Sequence, residues 1–441
     1  MRLLIVDTSG SALDLAVRAQ DAGHKVKHFI RQTPKTDKIG RGLVDVIDDY
    51  DPWLNWADLI FLSDNTRYIR DMNVRRMLGQ AIVGPSAELV EWELDRAIGM
   101  KVFKSHGVAV PPSKEFDDYD AAIRYVTKHG KRFVSKPSGS DDKALSYCAR
   151  SPADMVYMLE RWKRISKLKT PFILQEFIPG IEMAVGGWFG VNGWVPGWCE
   201  NWEFKKMMDG DLGVTTGEQG TVLRYVDRSK LASIVLEPLT ETLAKHEYTG
   251  YIDVNCIIDE SGTPWPLEFT MRPGWPTFNI QQELHEDPVE WLAKLANGES
   301  CNPFTLDSIA IGVVLSIPDY PYSHLTRKEV VGVPIYGLSP RLRPHVHYCE
   351  MMAGDDVPVD RDGTIARESI PLTAGDYVLV MSATAETVWD AKRKCYARLK
   401  RLSVPNSPMY RTDIGDRLSK QLPILQSKGF ALGMTFSSET P

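Results

Sequence analysis

The stretch "GYIDVNCIIDESGTPWPLEFTMRPG" (250–274) carries more structural information than any other part of the chain. Two apolar runs flank the turn Asp259-Glu260-Ser261-Gly262, the pattern of an antiparallel hairpin. Asp253 and Glu268 interrupt those runs near their middles. A carboxylate in such a strand is expensive to bury unless it is paired or bound to a cation. Two carboxylates on neighbouring strands can share Mg²⁺ (or Mn²⁺), which commonly takes one or two protein carboxylates plus substrate phosphates. The alternative is that both carboxylates point outward on a solvated face.

Upstream, two segments supply what a nucleotide would need beside such a cation. Lys136 follows "RFVS" at a strand end and precedes the small-residue loop Pro137-Ser138-Gly139-Ser140. A lysine fixed on a strand beside a loop of backbone amides suits phosphate contact. The Walker pattern G-x-x-x-x-G-K-[ST] is missing, and an exposed strand-end lysine is the plainer alternative. "ILQEFIPGIE" (173–182) then places an extended segment, a Pro-Gly turn and Glu182 in sequence. Extended backbone from Glu176 to Ile178 offers adenine its donors and acceptors, and the Glu182 carboxylate suits a ribose diol.

Further out, the first ninety residues alternate strands and helices. "RLLIVD" (2–7), "HKVKHFI" (24–30), "ADLIFLS" (57–63) and "AIVGPS" (81–86) read as strands, with a helix from Ala12 to Ala22. That order implies right-handed βαβ units and a parallel sheet, so the fold class is α/β. A helix is expected over about 87–115, another over 280–297, and a last one from Thr387 to Leu402. "SIAIGVVLSIP" (308–318) opens a third, β-rich section. Length alone suggests roughly three domains, and 441 residues with 43% hydrophobic and 25% charged side chains are ordinary for a soluble globular chain. With 52 basic against 58 acidic residues, net −6, nothing global draws the protein to nucleic acid or anionic lipid. No apolar run is long enough to span a membrane, and Leu3–Val6 stops at Asp7, too short for a signal peptide. Six cysteines without a C-x-x-C pair argue against a disulfide framework or structural zinc and suit a reducing cytoplasm. His345 and His347 share a strand face that could suit a metal, but no third ligand is near in sequence. No Ser/His/Asp or Cys/His triad is evident. Trp188, Trp194, Trp198 and Trp202 fit core packing of a small sheet, or alternatively an aromatic wall for a base or nucleoside.

Taken in order, these segments resemble the ATP-grasp fold, and within it the phosphoribosylamine–glycine ligase (glycinamide ribonucleotide synthetase) family. "IVGPSAELVEWELDR" (82–96) looks like that family's entry into its ATP-binding half, and 250–274 resembles its metal-binding hairpin. "IGVVLSIPDYP" (311–321) and "PMYRTDIGDRL" (408–418) are similar to its C-terminal domain and terminal segment. The resemblance implies a Rossmann-like pre-ATP-grasp domain over 1–90, an ATP-grasp domain over 91–305 with a small lid about 112–180, and a C-terminal β-rich domain over 306–441. It implies ATP and Mg²⁺, with Lys136 and Arg96 on phosphates, Gln175, Glu176 and Ile178 as adenine hinge, and Glu182 on the ribose. Lys205 or Lys206 would reach the terminal phosphates, and Arg272 the acyl-phosphate or acceptor end. Glu268 and Asp253 would hold metal, with Thr270 where the family has Asn and Asn255 as its substitute. Glycine-bearing loops near 137–141 and 209–220 would be lids.

The resemblance further implies a cytoplasmic ligase that joins a carboxylate, glycine or another amino acid, to an amine such as phosphoribosylamine. It weakens at the substrate motifs. Asp7-Thr8-Ser9-Gly10-Ser11 replaces a G-G-R-E-H type loop, Ser63-Asp64-Asn65 replaces G-P-E, and Gly274-Trp275-Pro276-Thr277 replaces an acidic G-D-P-E stretch. A ligase for a different acid and amine, with a nucleotide-like acceptor, is the second expectation. A non-catalytic nucleotide-binding protein, suggested by Thr270 and Arg96, is the third.

Overall fold

The amino-terminal apolar run forms the strand Arg2–Asp7, whose last five residues are buried. The computed structural model describes residues 1–65, 67–137, 146–165, 171–302, 308–322, 327–405 and 407–438. Within them Arg2–Asp7 pairs in parallel with Lys25–Ile30 on one side and Leu59–Leu62 on the other. Val46–Ile47 and Ile82–Val83 complete a five-stranded parallel sheet. Asp7 ends the first strand and shapes the turn into the helix Leu13–Asp21. Its carboxylate accepts from the amides of Ser9 (2.9 Å), Gly10 (2.9 Å) and Ala12 (2.8 Å). Strand order reverses beside Arg2–Asp7, and there the two following turns meet. The Thr8 amide donates to Asp64 at 3.0 Å, and the Thr8 hydroxyl bonds the same carboxylate. Such a switch point, outside the carboxyl ends of the strands, is where open α/β sheets form a crevice.

A second, four-stranded antiparallel sheet comprises Ser113–Phe116, Phe172–Glu176, Phe133–Pro137 and Tyr147–Cys148. Phe116, Phe133, Phe172 and Leu174 pack on its inner face against Val126, Leu159 and Trp162 of the helices Tyr119–His129 and Pro152–Ile165. By strand alternation Val134, Lys136, Ile173 and Gln175 take the other face.

The largest sheet has nine strands among the described residues. Pro264–Thr270 and Gly250–Ile258 form the expected hairpin, followed by Ile181–Gly190, Trp198–Glu203 and Gly220–Val226. Ile309–Ser316 then pairs antiparallel with Gly220–Val226, and Tyr377–Ala385 and Val346–Tyr348 follow. The nine-stranded sheet therefore takes strands from both sides of the expected 305/306 boundary.

Two expected helices are broken, each by an aspartate. The helix over 87–115 divides into Glu91–Leu94 and Arg96–Ser105, because Asp95 turns extended and accepts from the amides of Ala97 (2.8 Å) and Ile98 (3.1 Å). The helix over 280–297 divides into Thr277–Gln281 and Glu290–Ala296, with Asp287 accepting from the amides of Val289 (2.9 Å) and Glu290 (3.1 Å). Of the four tryptophans, Trp188, Trp198 and Trp202 are core residues and Trp194 packs half-buried against that core. Trp188 and Trp202 are almost fully buried, Trp188 against Tyr251, Phe278 and Trp291.

One buried polar chain ties the five-stranded sheet to the nine-stranded one. Asp14 accepts from Arg18 Nε (2.8 Å), His347 Nδ1 (2.7 Å), Gln282 Nε2 (3.0 Å) and the Tyr348 amide (3.1 Å). The other ring nitrogen of His347 lies 2.7 Å from Ser382 Oγ, and that hydroxyl donates to Glu283, which also accepts from His345 at 2.8 Å. The connectivity is that of a Ser/His/Asp triad, a grouping not evident from residue spacing. Ser382 and His347 are wholly buried and Ser382 already serves Glu283, so the chain is a fastening and not a nucleophile. The two histidines are committed to carboxylates rather than to a shared metal.

Burial alone would raise the Asp14 and Glu283 carboxyls. The Arg18 and His347 contacts hold Asp14 low, and the histidine and Ser382 contacts bring Glu283 to about 2. Depressed carboxyls stabilise the fold above their unfolded values, and that contribution is lost as pH falls through the folded ones. Asp14→Asn is expected to lower the melting temperature at pH 7 by about 5 °C or more, since breaking a buried pair costs about 3–5 kcal/mol. Melts followed by circular dichroism should show the gap to wild type closing as pH drops below about 4 toward 2.

Candidate nucleotide and carboxylate site

Directly paired residues of antiparallel strands share a face, so the register of the large sheet fixes which polar side chains meet. Thr270 opposes Asp253, and Glu268 opposes Asn255. Asp253 in turn opposes Gly186, and Asn255 opposes Ala184, which opposes Asn201. With Glu182 and Glu203 two residues along their strands from Ala184 and Asn201, one face carries seven polar side chains. Gly186 is essential to this crossing, because a Cβ there would stand 2.0 Å from Tyr251 Oη and 2.6 Å from Asp253 Oδ2.

Lys205 is the cation at the centre of the face. Its ammonium lies 3.0 Å from Glu203, 3.3 Å from Glu182 and 3.6 Å from Glu268. Arg96, on the helix Arg96–Ser105, reaches Glu268 from the opposite side at 2.8 Å. Lys136 comes from the small sheet and donates to the Leu267 carbonyl at 3.4 Å. Leu267 is the extra residue of a bulge between the Asn255–Glu268 and Cys256–Pro266 pairs, which turns its carbonyl out of the ladder. Arg96, Lys136, Gln175, Ile173, Trp265 and Leu267 line a cleft of about 730 Å³ between the small sheet and the hairpin.

The charges shift one another. Burial, aided by Arg96, pushes the Lys136 ammonium down to about 7. Burial would also lower Lys205, but Glu203, Glu182 and Glu268 drive it well above its ordinary value. Against its own burial, Glu268 is held at about 2 by Arg96, Lys205 and Lys136. Asp253 rises to about 7 from burial and the neighbouring Glu203. Glu218 is raised well above the ordinary range for the same two reasons.

Several expected residues stand differently from their assigned parts. Glu176 turns to Lys131 at 2.7 Å and its amide donates to the Pro112 carbonyl at 2.8 Å, so of the expected hinge buried Gln175 is the member that lines the cleft. Pro179-Gly180 passes so close to the strand Gly250–Ile258 that a Cβ on Gly180 would lie 2.3 Å from the Ile258 carbonyl. Lys206 begins the short strand Lys206–Met208 and takes no part in the Lys205 ion pairs. Arg272 is tied to Glu93 at 3.3 Å and to the Pro273 carbonyl at 3.1 Å, apart from Lys136 and Lys205. The expected lid at 209–220 is pinned: Asp209 accepts from the Thr412 amide at 2.8 Å, and Asp211 pairs with Arg411 at 2.9 Å. In the other expected lid, 137–141, residues 138–141 lie outside the described residues. Glu203, Glu218 and Asn201 were not anticipated. Glu203, two residues before Lys205 at the end of a strand, had a readable signal; Glu218, in a loop, had none.

Among the described residues no three His, Cys, Asp or Glu side chains group to hold a metal. The oxygens still suit a hard divalent cation. Asp253 Oδ1 and Asn255 Oδ1 are buried without a hydrogen-bond partner, and Glu268 shares their face. Mg²⁺ typically completes its shell with phosphates and water, so a partial protein set of this kind fits it. Among the described residues no helix is long and apolar enough to cross a membrane.

Known proteins match this chain along most of its length. No family model matches. Phosphoribosylamine–glycine ligase of Neisseria meningitidis serogroup B is 26% identical over 459 residues, covering 95% of this chain and 99% of that protein. The enzyme of the same name from Ralstonia nicotianae is 24% identical, covering 78% and 80%. Among solved structures, the phosphoribosylamine–glycine ligase of Thermotoga maritima superposes with a TM-score of 0.70 at 19% identity, covering 94% of this chain and all of its own. N5-carboxyaminoimidazole ribonucleotide synthetase from the same organism gives 0.59 at 15% identity, covering 92% and 99%. Biotin carboxylase of Campylobacter jejuni, in complex with an ATP analogue, gives 0.59 at 14% identity, covering 92% of each chain. The fold is ATP-grasp. The resemblance read from 82–96 and 250–274 to phosphoribosylamine–glycine ligases thus extends across the ATP-grasp chain as a whole.

Lys205→Met leaves Glu182, Glu203 and Glu268 without their shared cation. The variant should melt below wild type at pH 8, with the deficit shrinking toward pH 5 as buried carboxyls take up protons. A pH-independent deficit in melting temperature would contradict the placement of Lys205.

Proposed function

We propose that the protein is an ATP-dependent carboxylate–amine ligase of the phosphoribosylamine–glycine ligase type, acting in the cytoplasm. The observation that carries the reading is the gathering of Arg96 and Lys205 on the hairpin carboxylate Glu268, with Lys136 on the adjacent Leu267 carbonyl, beside a nucleotide-sized cleft in an ATP-grasp fold. ATP would transfer its γ-phosphoryl group to the acid, and an amine would displace phosphate from the acyl phosphate to give the amide, ADP and phosphate. The barrier is the approach of two anions, the triphosphate and the carboxylate. Lys136 and Arg96 would hold phosphates, and Lys205, held charged by its carboxylates, would lie between the phosphate tail and the acid. Gln175 and Ile178 would contact adenine and Glu182 the ribose. Mg²⁺ held by Glu268, Asp253 and Asn255 would neutralise phosphate charge when bound. The cleft between the small sheet and the hairpin would exclude water from the acyl phosphate.

A second reading, a ligase of the same chemistry with a different acceptor, is favoured by the switch-point crevice. There Thr8 and Asp64 bond each other, and Trp275 Nε1 donates to the Ser63 carbonyl at 3.1 Å. A coupled assay with glycine and freshly formed phosphoribosylamine decides between the two. ADP release requiring both supports the first, and release that needs another amine supports the second. ATP binding without ADP release for any acid and amine pair overturns both.

Glu268→Gln should reduce turnover by at least about 100-fold, because it removes a ligand's charge with little volume, and should lower the melting temperature at pH 7 by a few degrees as Arg96 and Lys205 lose their carboxylate, with the circular dichroism spectrum at about 25 °C unchanged. Lys136 is half neutral near pH 7, and a bound triphosphate would return it to the charged form. ATP binding at pH 8 should therefore take up close to one proton, read by calorimetry in buffers of different ionisation enthalpy. Lys136→Met should abolish most of that uptake.

A further inference from the structure

We propose that Glu218 binds the non-reacting ammonium group of the amino-acid substrate and so selects amino acids over simple carboxylates. The proposal rests on the ligase reading above.

Glu218 lies in the loop before the strand Gly220–Val226, is 5% exposed, and has one long hydrogen bond, from Thr277 Oγ1 to Oε2 at 3.5 Å. Its Oε1 is buried with no partner. The surroundings repeat the shortage of donors. Asp253 Oδ1, Asn201 Oδ1 and Asn255 Oδ1 are also buried without partners, and each belongs to a residue less than 5% exposed. Buried oxygens are ordinarily hydrogen-bonded, so the unmatched Glu218 Oε1 calls for a guest that brings N–H groups. An ammonium has three. Phosphates would fall on the Glu268 side, where Arg96, Lys136 and Lys205 already supply cations, and Mg²⁺ would take the Asp253 and Asn255 oxygens. Glu218 is left over, bonded to Thr277, two residues beyond the Trp275 that donates to Ser63 at the switch-point crevice.

Chemistry decides which nitrogen this is. An amine that attacks an acyl phosphate needs a free lone pair, and a nitrogen held as ammonium by a carboxylate has none. The held nitrogen is therefore the spectator amine of the acid being activated. Its carboxylate would face Lys205, whose charge Glu218 feels, while its ammonium turns to Glu218. The position also accounts for Thr277, a neutral residue where the related stretch is acidic. Thr277 donates to Glu218, whose carboxyl keeps its proton while buried and would give it up to face an ammonium.

The test compares glycine with acetate as acids in ADP release, with hydroxylamine as nucleophile, and measures glycine and ATP binding by calorimetry. Glu218→Gln is expected to raise the KM for glycine about 10- to 100-fold with kcat changed far less, and to abolish measurable glycine binding. The KM for acetate and the affinity for ATP should move less than about threefold. Thr277→Val should shift the glycine KM the same way by a smaller factor. An unchanged glycine KM in Glu218→Gln overturns the assignment of Glu218 alone. Equal losses for glycine, acetate and ATP also overturn it, by showing a structural role. Wild-type protein that binds ATP but releases no ADP with either acid overturns the ligase reading and the Glu218 proposal with it.

Discussion

A single half-buried ammonium organises the carboxylate face of the large sheet. Lys205 stands within ion-pair reach of Glu182, Glu203 and Glu268, three carboxylates that would otherwise repel one another in a poorly solvated wall. Charge of this density is tolerated because the strands place it at the mouth of a cleft and not deep in the core. Where the cation's influence weakens, further along the face, carboxyls revert to the behaviour of isolated buried acids, as Asp253 and Glu218 do. One side chain thus divides the face into an ionised half suited to phosphates and a proton-retaining half suited to donors.

The hairpin at 250–274 was legible because its grammar is local: apolar runs, a turn of Asp, Glu, Ser and Gly, and two carboxylates out of pattern. The parallel sheet at the amino terminus was legible for the same reason. What the sequence hid is what depends on pairing between distant strands. No spacing rule announces that Asn201 will stand beside Asp253, or that the strand Ile309–Ser316 will extend a sheet begun more than a hundred residues earlier. Glu218 was invisible because a loop has no period, and only the folded path brings it to Thr277. The helix breaks at Asp95 and Asp287 were readable in principle. Each aspartate sits where the helical pattern continues through it, so periodicity outvoted capping chemistry.

Residues expected to act together were in some cases found to satisfy each other. Arg96 and Glu268, assigned to phosphate and metal, form an ion pair in this structure. In the proposed reaction a nucleotide would have to draw these cations away from the carboxylate and toward its phosphates. Arg272 and Glu93 form a similar pair farther along the chain.

The pinning of 209–211 to Arg411 and Thr412 has a mechanical corollary. With that flank riveted to the carboxyl-terminal segment, and the amino-terminal sheet bolted on through Asp14 and His347, two walls of the cavity behave as one anvil. The small sheet bearing Lys136 keeps its own core and reaches the hairpin at the Leu267 carbonyl. The gap between hammer and anvil is thus spanned, on this side, by one lysine seated on the single surplus residue of the hairpin.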